Sequence, residues 1–186
     1  MSSKNTVKLN LISAACENLG IGKNGDLPWK LEKEYAYFER MTTETEDKNK
    51  RNVMIMGRKT WESFVEYPTS DRICLVLSRS KLDVGSVRHV HVYHSFDEAI
   101  NALEQDEFFK NKFETVWVIG GTSIYKKGLE SDRFHRLYLT RIHKNYDCDT
   151  FFPNLPSNLV EVRDPQVPED IQEEHGIQYK FHIYEK

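Results

Sequence analysis

The sequence has few cysteines and no long hydrophobic run. Its 186 residues include three cysteines, Cys16, Cys74 and Cys148, and their odd number and wide spacing disfavour both a disulfide framework and a metal-ligating cluster. We therefore expect reduced thiols that take part in packing. Because no apolar segment approaches the roughly 18 residues that a membrane-spanning helix needs, we do not expect a membrane protein.

The sequence also lacks an excess of positive charge and a targeting pattern. Its formal net charge is −3, so it has no overall attraction to nucleic acid, and we expect no DNA partner. Any anionic ligand must then be held by a few local cations. The first residues lead into an alternating segment without the apolar core of a signal peptide, which predicts a cytosolic protein. His89, His91 and His94 lack the spacing of metal ligands, and we predict no metal site.

Short apolar and alternating segments predict the strands of one sheet, and helical segments alternate with them. Ser95 and Glu98 have the spacing of a capping box at the start of one helix. This order is typical of a single α/β domain, covering 1–186, whose mostly parallel sheet has helices on both faces. The alternating tail at 177–184 predicts an antiparallel edge strand, which makes the sheet mixed. The predicted strands are 7–15, 52–56, 73–77, 87–93, 115–119 and 137–142, and the predicted helices are 31–41, 60–67, 95–103 and 123–129.

Three predicted strands end in residues suited to a phosphorylated ligand, and ligands of open α/β sheets bind beyond the carboxyl ends of the strands. Two of these ends carry cations and hydroxyl groups, and the third carries glycines that allow close approach of the backbone. Any one of them alone could equally be a solvated charge or a turn. Together they favour NADPH over NADH, because the extra cations suit its 2′-phosphate. The candidate cofactor-binding residues are Gly57, Arg58, Lys59 and Thr60 at the first end, Ser78 and Arg79 at the second, and Gly120, Gly121, Thr122 and Ser123 at the third.

Two segments resemble nucleotide-binding motifs only in part. The segment 53–60 resembles the end of a Walker A motif, but Asn52 stands where the leading glycine is needed. The segment 20–25 matches G-x-G-x-x-G after a strand, but Pro28 delays the next helix and no second strand ending in an acid follows at the Rossmann spacing. We therefore interpret 20–25 as a glycine-rich, mobile loop.

Glu34 is the candidate catalytic acid. A helix that begins near Pro28 would place it between the first members of an apolar stripe, which predicts a partly buried carboxyl group. The alternative is an ion pair with Lys30 one turn earlier, which contributes only tenths of a kcal/mol on an exposed face. A carboxyl group in an apolar pocket has a raised pKa unless something compensates, so it could hold a proton or bind a cationic ring. The stripe consists of Leu31, Tyr35, Phe38 and Met41.

Five segments occur in a characteristic order: GIGKNGDLPW at 20–29, MGRKTW at 56–61, VLSR at 76–79, IGG at 119–121 and DTFFP at 149–153. Together they closely resemble the dihydrofolate reductases of animals, and the likeness runs from about Val7 to Lys186. It implies an eight-stranded, mostly parallel sheet with an antiparallel C-terminal strand. It also implies an enzyme that reduces 7,8-dihydrofolate to tetrahydrofolate with NADPH, in support of one-carbon metabolism and thymidylate synthesis. Antifolates such as methotrexate are the implied inhibitors, and we expect a monomer.

The resemblance assigns roles to single residues. Glu34 falls on the acid that binds the 2-amino group and N3 of the pterin and supports protonation of N5, through water, during hydride transfer to C6. Arg72 matches the arginine that binds the glutamate carboxylate of the substrate, although its position before a strand would otherwise indicate a solvent-exposed residue. The remaining positions would otherwise be interpreted as core. Trp29, Leu27 and Thr140 complete the implied catalytic set, Ile12, Tyr35, Phe38 and Ile119 the substrate pocket, and Ala14, Ile21 and Tyr125 the cofactor site.

Some positions depart from the family pattern. Tyr35 replaces a phenylalanine of vertebrate members, the loop 65–71 is shorter than usual, and His94 replaces a cofactor-contacting arginine. Two alternative functions stay open: a reductase of another pterin, and a non-catalytic module that binds NADPH or folate. Assays with dihydrofolate and biopterin separate the first alternative, and binding of both ligands without oxidation of NADPH would establish the second.

Overall fold

The computed structural model describes residues 6–64, 67–85 and 87–186. Within these ranges, continuous apolar segments form the inner strands of a sheet, and segments with helical periodicity pack on it. The strands are β1 (Leu9–Ala15), β2 (Gly20–Gly22), β3 (Arg51–Gly57), β4 (Ile73–Leu77), β5 (Val90–Tyr93), β6 (Phe113–Val118), β7 (Phe134–Ile142), β8 (Thr150–Phe151), β9 (Val160–Val162), β10 (Gln172–Glu174) and β11 (Ile177–Glu185). The helices are α1 (Glu32–Thr43), α2 (Arg58–Ser63), α3 (Phe96–Gln105) and α4 (Thr122–Glu130).

Eight strands follow one another in the main sheet in the order β10-β11-β7-β1-β6-β3-β4-β5, and β9 pairs beside them with β11. The six strands from β7 to β5 are parallel, as expected for strands joined by helical crossovers. β11 is antiparallel to β7, so the predicted mixed α/β fold with an antiparallel C-terminal strand is confirmed. β11 is not the outermost strand, because β10 and β9 pair with the two ends of its outer edge.

The register of the sheet brings the ends of three strands together. Gly57 of β3 lies opposite Leu77 of β4, and Ile55 of β3 lies opposite Val118 of β6. The Gly57 amide also donates a hydrogen bond to the Gly120 carbonyl at 2.8 Å. The carboxyl ends of β3, β4 and β6, which carry the candidate cofactor-binding residues, are therefore neighbours at the edge where ligands of such sheets bind.

Two hydrophobic layers enclose the sheet. Val53 and Ile55 of β3 belong to one layer and Met54 and Met56 to the other, and none of the four has exposed surface. This alternation follows from the two-residue period of a strand that is covered on both faces. Helices α3 and α4 contribute to the first layer, and α1 and α2 to the second. Glu34 therefore lies on a helix that packs on the second face.

Several element boundaries differ from the predictions. α2 is Arg58–Ser63 rather than 60–67, and residues 65 and 66 of that predicted helix and of the shortened loop 65–71 lie outside the described residues. β5 begins at Val90 rather than at 87. The sequence does not indicate the short strands β2, β8, β9 and β10, because strands of two or three residues carry no periodic signal.

The predicted cap of α3 forms in part. The Ser95 hydroxyl accepts a hydrogen bond from the Glu98 amide at 3.1 Å, as the capping box requires. The Glu98 carboxylate accepts the His94 amide at 3.0 Å instead of the Ser95 amide. The helix start is therefore predicted correctly, although the reciprocal bond is displaced by one residue.

Three further findings concern membrane spans, metal sites and cysteines in the described residues. None of the helices there is long and apolar enough to cross a bilayer. No group of three or more His, Cys, Asp or Glu side chains there could hold a metal ion. Cys16, Cys74 and Cys148 are free thiols.

Candidate active site

Glu34 lies in the first turn of α1, facing the sheet. Its side chain is 6% exposed, and its Oε1 accepts a hydrogen bond from the Thr140 hydroxyl of β7 at 3.0 Å. Among the described residues, the carboxyl group makes no other hydrogen bond and no ion pair with Lys30. The acid predicted from the apolar stripe is therefore buried and held by the neighbouring strand, and the exposed ion pair is not observed.

Burial changes the ionisation of this acid. Loss of hydration raises the pKa of Glu34 from 4.5 to about 7. The hydrogen bond from Thr140 stabilises the ionised form and opposes this effect, whereas the negative charge of Glu174 reinforces it. At neutral pH both forms of Glu34 are populated, which is the property that a general acid requires.

A second buried carboxylate, Glu174 of β10, fixes the backbone of the same turn. Its Oε1 accepts the Lys33 amide at 2.8 Å, and its Oε2 accepts the Glu34 amide at 3.3 Å and the Tyr179 hydroxyl at 2.7 Å. Leu31, at the N-cap position, has no side-chain acceptor for these amides, so Glu174 replaces a local cap. Burial opposes ionisation of Glu174, but these hydrogen bonds outweigh it and hold its pKa below the ordinary value. Sequence reasoning misses this residue, because 140 positions separate it from Glu34 and no local motif marks the contact.

The apolar cluster on the α1 face brings several predicted pocket residues together. Ile12, Trp29 and Ile119 are buried in it, and Ala14 and Phe38 pack at its border. In the register of β1 and β7, Ala14 lies opposite Thr140, the partner of Glu34. Trp29 Nε1 is a buried donor without a hydrogen-bond partner in the described part of the chain. Such a donor is costly unless a water or a ligand accepts its hydrogen.

Leu27 and Ile21 belong to the segment between β1 and α1. Leu27 is 47% exposed, and Ile21 borders the opposite hydrophobic layer. β2, at the start of the glycine-rich segment, pairs with β8, and the Asp149 carboxylate accepts the Asn24 amide at 2.9 Å. The segment is therefore attached to β8 at several points, while the predicted contacts of Leu27 and Ile21 with ligands stay predictions.

Aromatic rings line one side of α1. The Tyr35 ring centroid lies 5.9 Å from that of Phe38 and 5.6 Å from that of Tyr67, and Phe38 lies 6.1 Å from Phe64. The Tyr35 hydroxyl is buried and has no hydrogen-bond partner of standard geometry among the described residues. Burial, followed by the nearby charge of Glu39, raises the pKa of Tyr35 above its ordinary value. The Tyr35 hydroxyl is therefore neutral and enclosed by the surrounding side chains, close to Glu39.

Arg72 is not the exposed arginine that its position before a strand suggests. Its side chain has no exposed surface, and its guanidinium group faces two carboxylates, those of Asp71 at 3.0 Å and Glu39 at 3.4 Å. A substrate carboxylate at Arg72 would have to compete with Glu39, whose side chain is 33% exposed. The other acceptors of Arg72 are the Thr42 hydroxyl at 2.8 Å, the Pro68 carbonyl at 2.9 Å and the Met54 sulfur at 3.7 Å.

The glycines at the candidate cofactor site allow close backbone packing. A Cβ atom on Gly57 would lie 3.6 Å from Ile124, in ordinary contact. Gly120 has a φ of +117°, and a Cβ atom there would lie 3.0 Å from the Tyr125 ring, so a larger residue is disfavoured. The Tyr125 hydroxyl donates to the Ile12 carbonyl at 2.7 Å and links α4 to β1. Its contact with a cofactor stays a prediction.

The cations at this site differ in their availability. Arg58 donates to the Glu62 carboxylate at 2.8 Å and to the Ser80 hydroxyl at 3.1 Å. Lys59 and Arg79 are exposed and form no ion pair with an acid in the described part of the chain. The residues therefore fit a phosphorylated dinucleotide, since two cations are unpaired beside glycines that admit a ligand. His94 Nδ1 lies 3.1 Å from the Ser78 carbonyl, which ties this histidine to the end of β4.

Comparisons with known proteins agree with this geometry. A family model described as dihydrofolate reductase matches residues 8–186. The chain is 46% identical to the dihydrofolate reductase of Aedes albopictus over 182 residues, which covers 96% of this chain and 97% of the relative. It is also 46% identical to the dihydrofolate reductase of Gallus gallus over 185 residues, with 96% of each chain covered. The solved structure of Schistosoma mansoni dihydrofolate reductase superposes with a TM-score of 0.84 at 37% identity, covering 97% of this chain and 99% of that one.

Proposed function

The chain belongs to the dihydrofolate reductase family, and from this premise we propose that it catalyses the NADPH-dependent reduction of 7,8-dihydrofolate to 5,6,7,8-tetrahydrofolate. The observation that carries the proposal is the buried Glu34 carboxyl group, which Thr140 holds beside the apolar cluster of Ile12 and Ile119. A flat heterocycle with hydrogen-bonding groups at its edge suits such a site, because apolar walls can cover its faces while one acid binds its edge.

We assign protonation of the substrate to Glu34. Its pKa of about 7 keeps a proton available at neutral pH, and a proton on N5 makes the adjacent C6 more electrophilic. The Thr140 hydroxyl uses only one lone pair of Oε1, so both carboxyl oxygens can still accept from the 2-amino group and N3 of the pterin, as a fork. The unpaired Trp29 Nε1 can orient the water through which the proton reaches N5.

The strand ends supply the binding groups for the cofactor. NADPH, when bound, supplies the hydride that C6 of the substrate accepts. Gly57, Gly120 and Gly121 allow close approach of the backbone, while Lys59 and Arg79 are placed to neutralise the 2′-phosphate. Arg58 is less available, because Glu62 and Ser80 already hold it. Thr60, Ser78, Thr122 and Ser123 complete the proposed set.

The proposed substrate pocket extends along α1 from the pterin to the tail. Phe38 and Tyr35 provide apolar contact for the aminobenzoyl group, and the Tyr35 hydroxyl adds a buried polar atom near Glu39. Arg72 binds the glutamate carboxylate after Glu39 turns away from it. Binding of the substrate carboxylate at Arg72 therefore gains less free energy than it would at an arginine that faces no acid.

The direct test is dihydrofolate-dependent oxidation of NADPH by the purified protein, with tetrahydrofolate identified as the product. We expect dihydrofolate to be a better substrate than dihydrobiopterin, and methotrexate to abolish the activity. Binding of dihydrofolate and NADPH without turnover would favour the non-catalytic module. Turnover of dihydrobiopterin alone would favour the other pterin reductase.

Glu34→Gln tests the residue on which the proposal depends. The amide retains an acceptor for Thr140 but supplies no proton, so we expect the fold to persist and turnover to fall by roughly 10²- to 10⁴-fold. The remaining activity must use protons from solution, so it should fall more steeply than that of the wild type as pH rises. Turnover equal to the wild type at neutral pH would contradict the assignment. Glu173→Gln, a change of an exposed acid, is the matched control.

We also propose that the enzyme is monomeric and cytosolic. Its free cysteines suit a reducing compartment, and its large exposed apolar side chains, such as Leu27, Phe108 and Val160, come from separate segments of the chain. Light scattering after gel filtration tests the first statement, and fractionation of the source cells tests the second.

A further inference from the structure

Glu174 is a buried carboxylate to which the proposed reaction assigns no role. It is 9% exposed and lies on β10, against the first turn of α1. A buried charge is costly unless it is compensated. The groups that compensate Glu174 therefore indicate its role.

The hydrogen-bond partners of Glu174 are backbone amides and one hydroxyl, and the charge of Lys33 makes the smallest contribution to its ionisation. The Lys33 and Glu34 amides belong to the N-terminal turn of α1, where unpaired N–H groups and the helix dipole favour a negative charge. The Tyr179 hydroxyl donates a third hydrogen bond at 2.7 Å. No cation forms an ion pair with Glu174 in the described part of the chain. The α1 turn itself therefore stabilises the ionised carboxylate.

The surroundings of Glu34 make the charge of Glu174 important. The groups that face Glu34 are the Thr140 hydroxyl from β7, Glu174 from β10, and the tyrosines Tyr37, Tyr125 and Tyr179 from α1, α4 and β11. Burial raises the pKa of each of these tyrosines, so all three are neutral in the physiological range. Glu174 is the ionised group among them.

We propose that Glu174 is a positioning residue for the catalytic acid: its carboxylate caps the turn that carries Glu34 and places a negative charge beside that turn. The inference rests on the proposed function, because that function makes Glu34 the acid. The two carboxyl groups divide their roles: one stays ionised through hydrogen bonds with amides, and the other keeps its proton in an apolar site. Pairs of acids held in opposite states in this way are a recurrent means of assigning catalytic roles.

Glu174→Gln tests the inference, because it removes the charge with little change in shape. We expect the titration midpoint of Glu34, followed by NMR of ¹³C-labelled carboxyl groups in the unliganded protein, to fall below about 7 by a small part of its total rise, because burial is the larger cause of that rise and persists in the variant. The pH at which kcat/KM declines should move in the same direction. The matched control is Glu173→Gln, its exposed neighbour on β10, which should leave both midpoints unchanged.

Tyr179→Phe separates the charge of Glu174 from its hydrogen bonds. This variant removes one donor to Glu174 but leaves the carboxylate in place, so we expect lower stability with a nearly unchanged Glu34 midpoint. A folded Glu174→Gln protein with an unchanged Glu34 midpoint would overturn the inference. A loss of activity of equal size at every pH would overturn it too, because it would make Glu174 purely structural.

The wild-type protein provides a test that does not depend on folding of a variant. Glu174 should titrate at a lower pH than Glu34 in the same NMR experiment, and the opposite order would refute the proposal. These titrations need no substrate. Failure of the protein to reduce dihydrofolate would therefore contradict the proposed function. The titrations test only the inference about Glu174 and Glu34.

Discussion

At the scale of the residue, the burial of Glu34 makes the stability of the protein depend on pH. Its pKa is about 7 in the folded protein and 4.5 when exposed, so between these values the folded state binds more protons and the free energy of unfolding falls as pH rises. This interval corresponds to roughly 3 kcal/mol at most. Glu34→Gln should therefore become more stable relative to the wild type as pH increases, with the difference levelling above about pH 7.

Urea unfolding of both proteins at several pH values measures this difference. Below the unfolded-state pKa the carboxyl group is protonated in both states, so the two proteins should have similar stability there. Glu173→Gln, which changes an exposed acid, should follow the wild type at every pH. A constant difference between Glu34→Gln and the wild type would contradict the raised pKa.

A second prediction concerns the acids at Arg72. Glu39→Gln removes one of the two carboxylates that face this cation, so a substrate carboxylate should bind there more easily. Since partly exposed ion pairs contribute about 0.2–1 kcal/mol, we expect KM for dihydrofolate to fall by up to about fivefold. KM for a dihydropterin without a glutamate tail should not change. The control is Glu44→Gln, because Glu44 is a nearby acid that pairs with Arg40 instead of Arg72. An equal effect of Glu39→Gln on both substrates would contradict this role of Glu39.

These residues show what the sequence can and cannot indicate. The apolar stripe predicts that Glu34 is buried, because helical periodicity places it against the core. Burial of Arg72 by Glu39 and Asp71 is not predicted, since the pairing of side chains from a helix and a loop depends on tertiary packing. Glu174 is missed for the same reason, and the signal that could have suggested it is the lack of a capping residue at Leu31.

At the scale of the element, the short strand β2 depends on a glycine for space. A Cβ atom on Gly20 would lie 2.4 Å from the Cys148 sulfur and 2.9 Å from the Asn18 side-chain oxygen, so both side chains must shift or the strand itself must move. Gly20→Ala should lower the free energy of unfolding by about 1–3 kcal/mol and disturb the pairing of β2 with β8. In Gly22→Ala, the nearest atom would be 3.4 Å from the new carbon, so this control on the same strand should lose less. Equal stability of the two variants in urea would contradict the prediction.

The contrast between β2 and the inner strands explains which elements the sequence predicts. β4 lies at its predicted position, Ile73–Leu77, because a strand in the middle of a parallel sheet is covered on both faces and can bury five consecutive apolar residues. The segment at β2 contains two glycines and carries no such pattern. Its pairing with Thr150–Phe151 brings together segments about 130 residues apart, which local periodicity cannot reveal.

At the scale of the whole molecule, the parallel order of the sheet brings the candidate site residues together. Strands β1, β6 and β3 are neighbours in space but not in sequence, and their shared direction brings Ala14, Gly120 and Gly57 to one edge. The alternation of strands and helices predicts that such an edge exists. It does not predict the strand order, so the sequence alone names the candidate residues of the site without giving their arrangement.

This arrangement predicts that cofactor binding stabilises the whole fold. A ligand that binds only the folded state at about 100 times its dissociation constant adds about 2.7 kcal/mol to the free energy of unfolding. If Lys59 and Arg79 bind the 2′-phosphate, NADPH should raise the melting temperature more than NADH at equal concentration. Arg79→Ala should reduce the effect of NADPH and leave that of NADH unchanged. Arg163→Ala changes an exposed cation beyond β9 at the opposite end of the sheet, and it should alter neither the NADPH effect nor the NADH effect. Equal stabilisation of the wild type by both dinucleotides would exclude recognition of the phosphate.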